Sequence, residues 1–194
     1  MATYDLDEQE RLDELKAWWK RWGNLVMIGL AVVVAAAAGW RYWQNQVATQ
    51  SSEAATVYEQ LTRSLAANDA KAARDAGAML IDQYKGTAYA PRAALLLAKL
   101  NVGAKDLKSA QAQLEWAVAN SKEPAVKDLA RLRLAGVQLD QKQYDAALKT
   151  LSATHSDAFA FRFHDLKRDV LLAQGKAAEA RAAYQAAFGK VAED

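Results

Sequence analysis

The chain has 194 residues, 25 Lys and Arg against 23 Asp and Glu, and no cysteine. The missing cysteine excludes disulfides, thiolate metal sites and a cysteine nucleophile, and a near-neutral chain without a basic patch or a stacking aromatic series excludes a nucleic-acid partner. Two prolines and nine glycines stand beside abundant Ala, Leu, Lys, Gln and Arg, the residues that cost least in a helix interior, so the expected fold class is all-α.

Residues 1–21 read as a tail. Leu12, Leu15, Trp19 and Trp22 recur at i, i+3, i+7 and i+10, one face of a helix. Asp5-x-x-Glu8 fits a helix start signal, an aspartate cap with a glutamate three residues on. Two readings suit this tail: an amphipathic juxtamembrane helix lying on a bilayer, or a docking or degradation element with an acidic outer face.

Residues 22–43 read as a single transmembrane helix. No charge occurs from Trp22 to Trp40. The apolar run Leu25–Trp40 spans roughly 24 Å of helix, against a hydrocarbon core about 30 Å thick. Trp18, Trp19 and Trp22 at one end and Trp40, Tyr42 and Trp43 at the other supply the membrane-interface belts that close the difference. A buried core helix would carry a polar stripe, and this run has none. A cleaved signal peptide is the rival reading, since Ala35–Ala38 resembles a small-residue cleavage site. The long N-terminal region rich in Asp and Glu is unlike a short basic leader. Arg11, Lys16, Lys20 and Arg21 precede the run, and Arg41 alone follows it closely. The lipid bilayer should therefore hold the tail in the cytoplasm and residues 44–194 outside, which in a bacterium is the periplasm.

Residues 44–194 read as helical hairpins. Breaks fall at Asn68-Asp69, Lys85–Thr87, Gly103–Asp106, Ser121–Pro124, Gln141–Gln143, Thr154–Asp157 and Gly175-Lys176, each carrying turn chemistry. Ala98, Leu107, Ala110 and Leu114 recur at the same steps as Ala135, Tyr144, Ala147 and Leu151, and a third copy supplies Gly175, Ala177, Ala180 and Tyr184. Ala110, Ala147 and Ala180 are 37 and 33 residues apart, bracketing the tetratricopeptide period of about 34. Small residues at a hairpin crossing let two backbones approach, and stacked neighbours bury faces that one hairpin cannot. Arg168 breaks the pattern where the other copies have Ala98 and Ala135, so that helix must pack differently or cap the stack. A further hairpin over Val47–Tyr84 would set Ala54, Tyr58 and Leu61 against Ala73, Ala76 and Leu80.

No catalytic constellation emerges. His155-Ser156-Asp157 has triad letters, but adjacency is not triad geometry and the stretch reads as a loop. Two histidines, His155 and His164, make a poor zinc set, and no phosphate loop or H-E-x-x-H occurs. Asp165 and Asp169 lie at helical spacing, as on a solvated surface. Phe159 and Phe163 share a face as core, with Phe161 turned away as a candidate partner anchor. The expectation is no enzyme, no cofactor and no metal.

The segments LKAWWKRWGN (Leu15–Asn24) and GWRYWQ (Gly39–Gln44), followed by hairpins including KQYDAALKTL (Lys142–Leu151), resemble the YfgM family, ancillary subunits of the bacterial SecYEG translocon. The resemblance implies an inner-membrane anchor and a periplasmic tetratricopeptide-like domain. It implies partnership with SecYEG and a PpiD-like membrane-anchored chaperone on translocated proteins, and restraint of an envelope-stress response regulator through the tail. Matching the chain to the generic tetratricopeptide repeat puts Arg92, Leu95, Lys99, Leu132, Leu139, Arg162 and Leu172 in a candidate partner groove, although the same leucines also suit a core. The alternative is a soluble periplasmic helical-repeat chaperone or cytochrome-maturation adaptor released by signal cleavage.

Overall fold

The computed structural model describes the backbone of residues 3–191 and the side chains of residues 11–183 and 185. Eight helices follow in order: α1 Thr3–Ala66, α2 Ala70–Gln83, α3 Tyr89–Gly103, α4 Leu107–Asn120, α5 Pro124–Asp140, α6 Tyr144–Leu151, α7 Asp157–Ala173 and α8 Ala177–Val191. All seven expected breaks fall between helices, and no strand occurs among the described residues. Helix α1 already contains Asp5 and Glu8, so that pair does not start it; their side chains lie outside the described residues. The helix also runs through the 43/44 boundary without interruption.

The chain divides into two units, one up to Thr49 and one from Gln50. The first is a helix whose residues 11–49 are all exposed except Gly23. The Trp19 ring covers that glycine, lying 3.1 Å from where a Cβ would stand. Val26, Met27, Ile28, Leu30, Val32, Val33 and Val34 are all exposed, so the helix is apolar all round and none of the described residues covers it. That removes the core-helix reading. Among the described residues this is the one helix long and apolar enough to cross a membrane.

The second unit is built from four copies of one hairpin. The positive-φ residues Asn68, Lys105, Lys142 and Gly175 (57°, 61°, 61° and 79°) follow one another at steps of 37, 37 and 33 residues. Each ends a helix in the left-handed conformation. The next residue's N–H then reaches back to a carbonyl in the helix just ended, Asp69 to Ser64 (2.9 Å), Asp106 to Asn101 (2.9 Å), Gln143 to Gln138 (2.8 Å) and Lys176 to Leu171 (2.9 Å). In the first two turns that residue also starts the next helix. Asp69 and Asp106 accept from the N–H groups of Ala72 and Ser109, both at 3.0 Å, satisfying donors that a helix start leaves orphaned. The last step is shorter because α6 has 8 residues where α2 and α4 have 14.

The crossing residues explain why the copies pack alike. Ala73, Ala110, Ala147 and Ala180 are all buried, opposite Leu61, Ala98 and Ala135 in the first three hairpins. In the fourth, Arg168 turns its guanidinium onto Asp165 and Asp169, each at 2.8 Å. Those two carboxylates are thus ion-pair partners rather than free surface, and α7 still packs against α8 and α5. The side chain of Tyr184 lies outside the described residues.

Each core cluster needs three helices. Leu61, Leu80 and Leu97 join α1, α2 and α3; Leu95, Leu114 and Leu134 join α3, α4 and α5; Ala135, Leu151 and Phe163 join α5, α6 and α7. Ala54, Tyr58, Leu61, Ala73, Ala76 and Leu80 meet in the first cluster, as their spacing predicts. Gly77 allows the closest approach: a Cβ there would stand 2.7 Å from Leu97 Cγ. Helix α3 touches α5, and α5 touches α7, whereas α4 does not reach α6. The first helices of the hairpins therefore form the tight side of the stack.

Candidate functional site

The tight side carries the candidate groove, and its seven expected residues divide by environment. Lys99 and Arg162 are exposed, as is Leu172. Leu95 is not available: at 5% exposure it belongs to the core with Ala98 and Leu114. Leu132 and Leu139 are half-buried against the Ala135–Phe163 cluster. Arg92 holds Glu123 at 2.8 Å, tying the start of α3 to the residue before α5. Matching a generic repeat counted core leucines as lining, because a leucine on the edge of a hairpin crossing serves the neighbouring helix first.

Two clefts open on this side, one repeat apart. The larger, about 770 Å³, lies among the end of α1, the start of α2 and α3, and includes Leu65, Arg74, Lys99 and Gly103. The other, about 390 Å³, lies between α3 and α5 and includes Lys99, Val102, Leu114, Arg133, Gly136 and Asp140. The turn register makes Thr62, Lys99, Gly136 and Asp169 equivalent positions in successive hairpins. Lys99 belongs to both clefts, and the three cations Arg74, Lys99 and Arg133 distribute along them. Sequence reading missed Arg133 and Gly136; a glycine inside a helical pattern was the available signal for the second.

The turns at the other end of the hairpins hold them in register. Asp128 is buried, and its Oδ2 accepts from both the N–H and the hydroxyl of Ser156, each at 3.0 Å. Arg131 donates to the Thr154 carbonyl at 2.8 Å. The Ser156 hydroxyl is therefore committed to Asp128 rather than aligned with a base, and the His155 ring stacks on Phe163 at 4.3 Å. Phe163 is buried and Phe159 half-buried, while Phe161 is exposed. Back at the left-handed turns, Gln141 donates to the Leu107 carbonyl and Gln174 to Asp145, both at 3.0 Å, each linking one hairpin to the one before it. At the end of α2, desolvation raises the Tyr84 hydroxyl above its usual range, reinforced by the charge of Glu53 and the bond to it. The Asp106 carboxyl is held below its usual range, first by the Ser109 hydroxyl and then by the Ser109 N–H.

The tetratricopeptide repeat-like domain family matches residues 16–194, which takes in the apolar helix as well as the hairpins. A Haemophilus influenzae protein named ancillary SecYEG translocon subunit is 30% identical over 185 residues, covering 95% of this chain and 90% of the relative. The chain belongs to the family of ancillary SecYEG translocon subunits. A Neisseria gonorrhoeae protein of that name is 32% identical over 195 residues, 100% of this chain and 93% of its own length. An Escherichia coli one is 30% identical over 186 residues, 96% and 89%. The family is the one that the Trp-rich flanks and hairpins resemble. The relatives align along nearly the whole chain.

Proposed function

We propose that this protein is a single-pass inner-membrane subunit of the SecYEG translocon, with residues 1–21 cytoplasmic, 22–43 in the bilayer and 44–194 periplasmic. It acts without catalysis. The hairpin unit, in company with a PpiD-like chaperone, receives proteins as they cross, and the tail restrains an envelope-stress response regulator. The observation that carries the reading is the full-length likeness to translocon subunits in a chain whose apolar helix is exposed on every side. Supporting it, tethering a binding surface to the membrane raises its effective concentration for other membrane-bound partners, and the Lys and Arg excess before Trp22 favours a cytoplasmic tail.

The lack of cysteine makes the test clean. Single cysteines at Thr3 and at Ser152 give two probes in intact cells. A membrane-impermeant maleimide should label the second and spare the first, and a photo-crosslinker on the hairpins should yield SecYEG adducts. Labelling at Thr3 alone would invert the topology, and a mature protein starting after Ala38 would replace the anchored subunit with a released one.

A further inference from the structure

Nothing in the fold asks for a glycine at position 136. Its backbone lies inside the uninterrupted helix α5, and a methyl group built there would meet no heavy atom within 4 Å. Gly77 is the contrast, since Leu97 occupies its Cβ space. A glycine in a helix interior lowers stability relative to alanine. The equivalent positions in the other hairpins, Thr62, Lys99 and Asp169, all carry side chains. What Gly136 does is widen the cleft between α3 and α5, whose apolar wall includes Val102 and Leu114.

The rim of that cleft is charged. Lys99 and Arg133 are exposed, and Arg133 makes one bond, to the Leu95 carbonyl at 3.3 Å. Among the described residues neither cation has a carboxylate within ion-pair distance, Asp140 at the far end included. The neighbouring cleft, one hairpin away, shares Lys99, which there stands at the place of Gly136, and adds Arg74. Packed helices lie 8–10 Å apart, and three residues of extended chain span about 10 Å, so three residues are enough to bridge the two clefts.

We propose that Gly136 opens the α3–α5 cleft to a bulky apolar side chain of an extended polypeptide, and that Lys99 and Arg133 select an acidic residue beside it. This inference rests on the translocon reading only for the source of that polypeptide; the chemistry it names is the cleft's own.

The probe is a short fluorescein-labelled Gly/Ser peptide with two Phe-Glu pairs three residues apart, titrated by anisotropy against the full-length protein in nanodiscs. Matched peptides carry Phe-Lys or Ser-Glu pairs. The Phe-Glu peptide should bind about tenfold more tightly than either. Gly136→Ala should weaken it at least about threefold while raising the melting temperature, which separates a lost site from a damaged fold. Lys99→Glu with Arg133→Glu should reverse the order of the Phe-Glu and Phe-Lys peptides. Equal binding of the three peptides, or undiminished binding by Gly136→Ala, overturns the proposal. Crosslinking of the same proteins to SecYEG is read in parallel. Adducts without peptide discrimination sink the cleft and leave the translocon reading standing, and discrimination without adducts does the reverse.

Discussion

Gly77→Ala and Gly136→Ala are the same chemical change with opposite expected signs. Both place a methyl group on a helix interior, where alanine outscores glycine by about 0.5–1 kcal/mol. At Gly136 the methyl enters open space, so the full gain should appear. At Gly77 it would stand 2.7 Å from Leu97 Cγ and Cδ1 and 2.8 Å from Cδ2. The whole isobutyl group is in the way, not one flexible end, and Leu97 is itself buried against Leu80 and Ala93. Overpacking of this kind costs about 1–3 kcal/mol, which exceeds the propensity gain. The net expectation is a loss of about 1–2 kcal/mol, or roughly 2–8 °C of melting temperature for a unit of this size. Thermal melts of the full-length protein in detergent micelles, followed by far-UV circular dichroism, measure both variants together. Combining Gly77→Ala with Leu97→Ala should cost less than the two single changes added, because the second removes the obstacle that the first meets. A Gly77→Ala protein that melts at or above the parent refutes the close-packing argument.

Lys105→Gly and Lys142→Gly should each raise stability, by about 1 kcal/mol, because both lysines sit at positive φ; urea midpoints check this, and Gly175→Ala should lower the midpoint. Asp128→Ala leaves the Ser156 N–H and hydroxyl without their acceptor and should cost about 1–3 kcal/mol, with Asp128→Asn closer to the parent. The Asp106 carboxyl is held low by the Ser109 hydroxyl and N–H, against a smaller opposing effect of burial. Its stabilisation is therefore complete above the ordinary carboxylate range and fades as pH falls through the lowered value. Acid titrations of stability should show a shallower low-pH limb in Asp106→Asn than in the parent.

Six of the seven breaks were legible because they carry Gly, Pro, Asn or Asp, residues whose backbone or side chain favours turning; Gln141–Gln143 has none of these. The crossing alanines were legible too, since spacing alone aligns Ala110, Ala147 and Ala180. What spacing could not reveal is that Lys105 and Lys142 end their helices as Gly175 does. Lysine is no signal for the left-handed region, and tertiary packing holds it there. Which side chains are free to line the candidate groove was not legible. Leu95 and Arg92 carry no mark in the sequence that assigns one to the core and the other to Glu123.

Because each of the first three core clusters borrows a helix from the hairpin after it, assembly has a direction built in. A chain made or threaded from its N-terminus cannot seal Leu61 and Leu80 until Tyr89–Gly103 has emerged to supply Leu97, nor bury Leu114 before Leu134 arrives. Each pair waits, half-wet, for the next. Maturation should then advance as a front trailing the exit site by about one helix, with short-range contacts keeping each step fast.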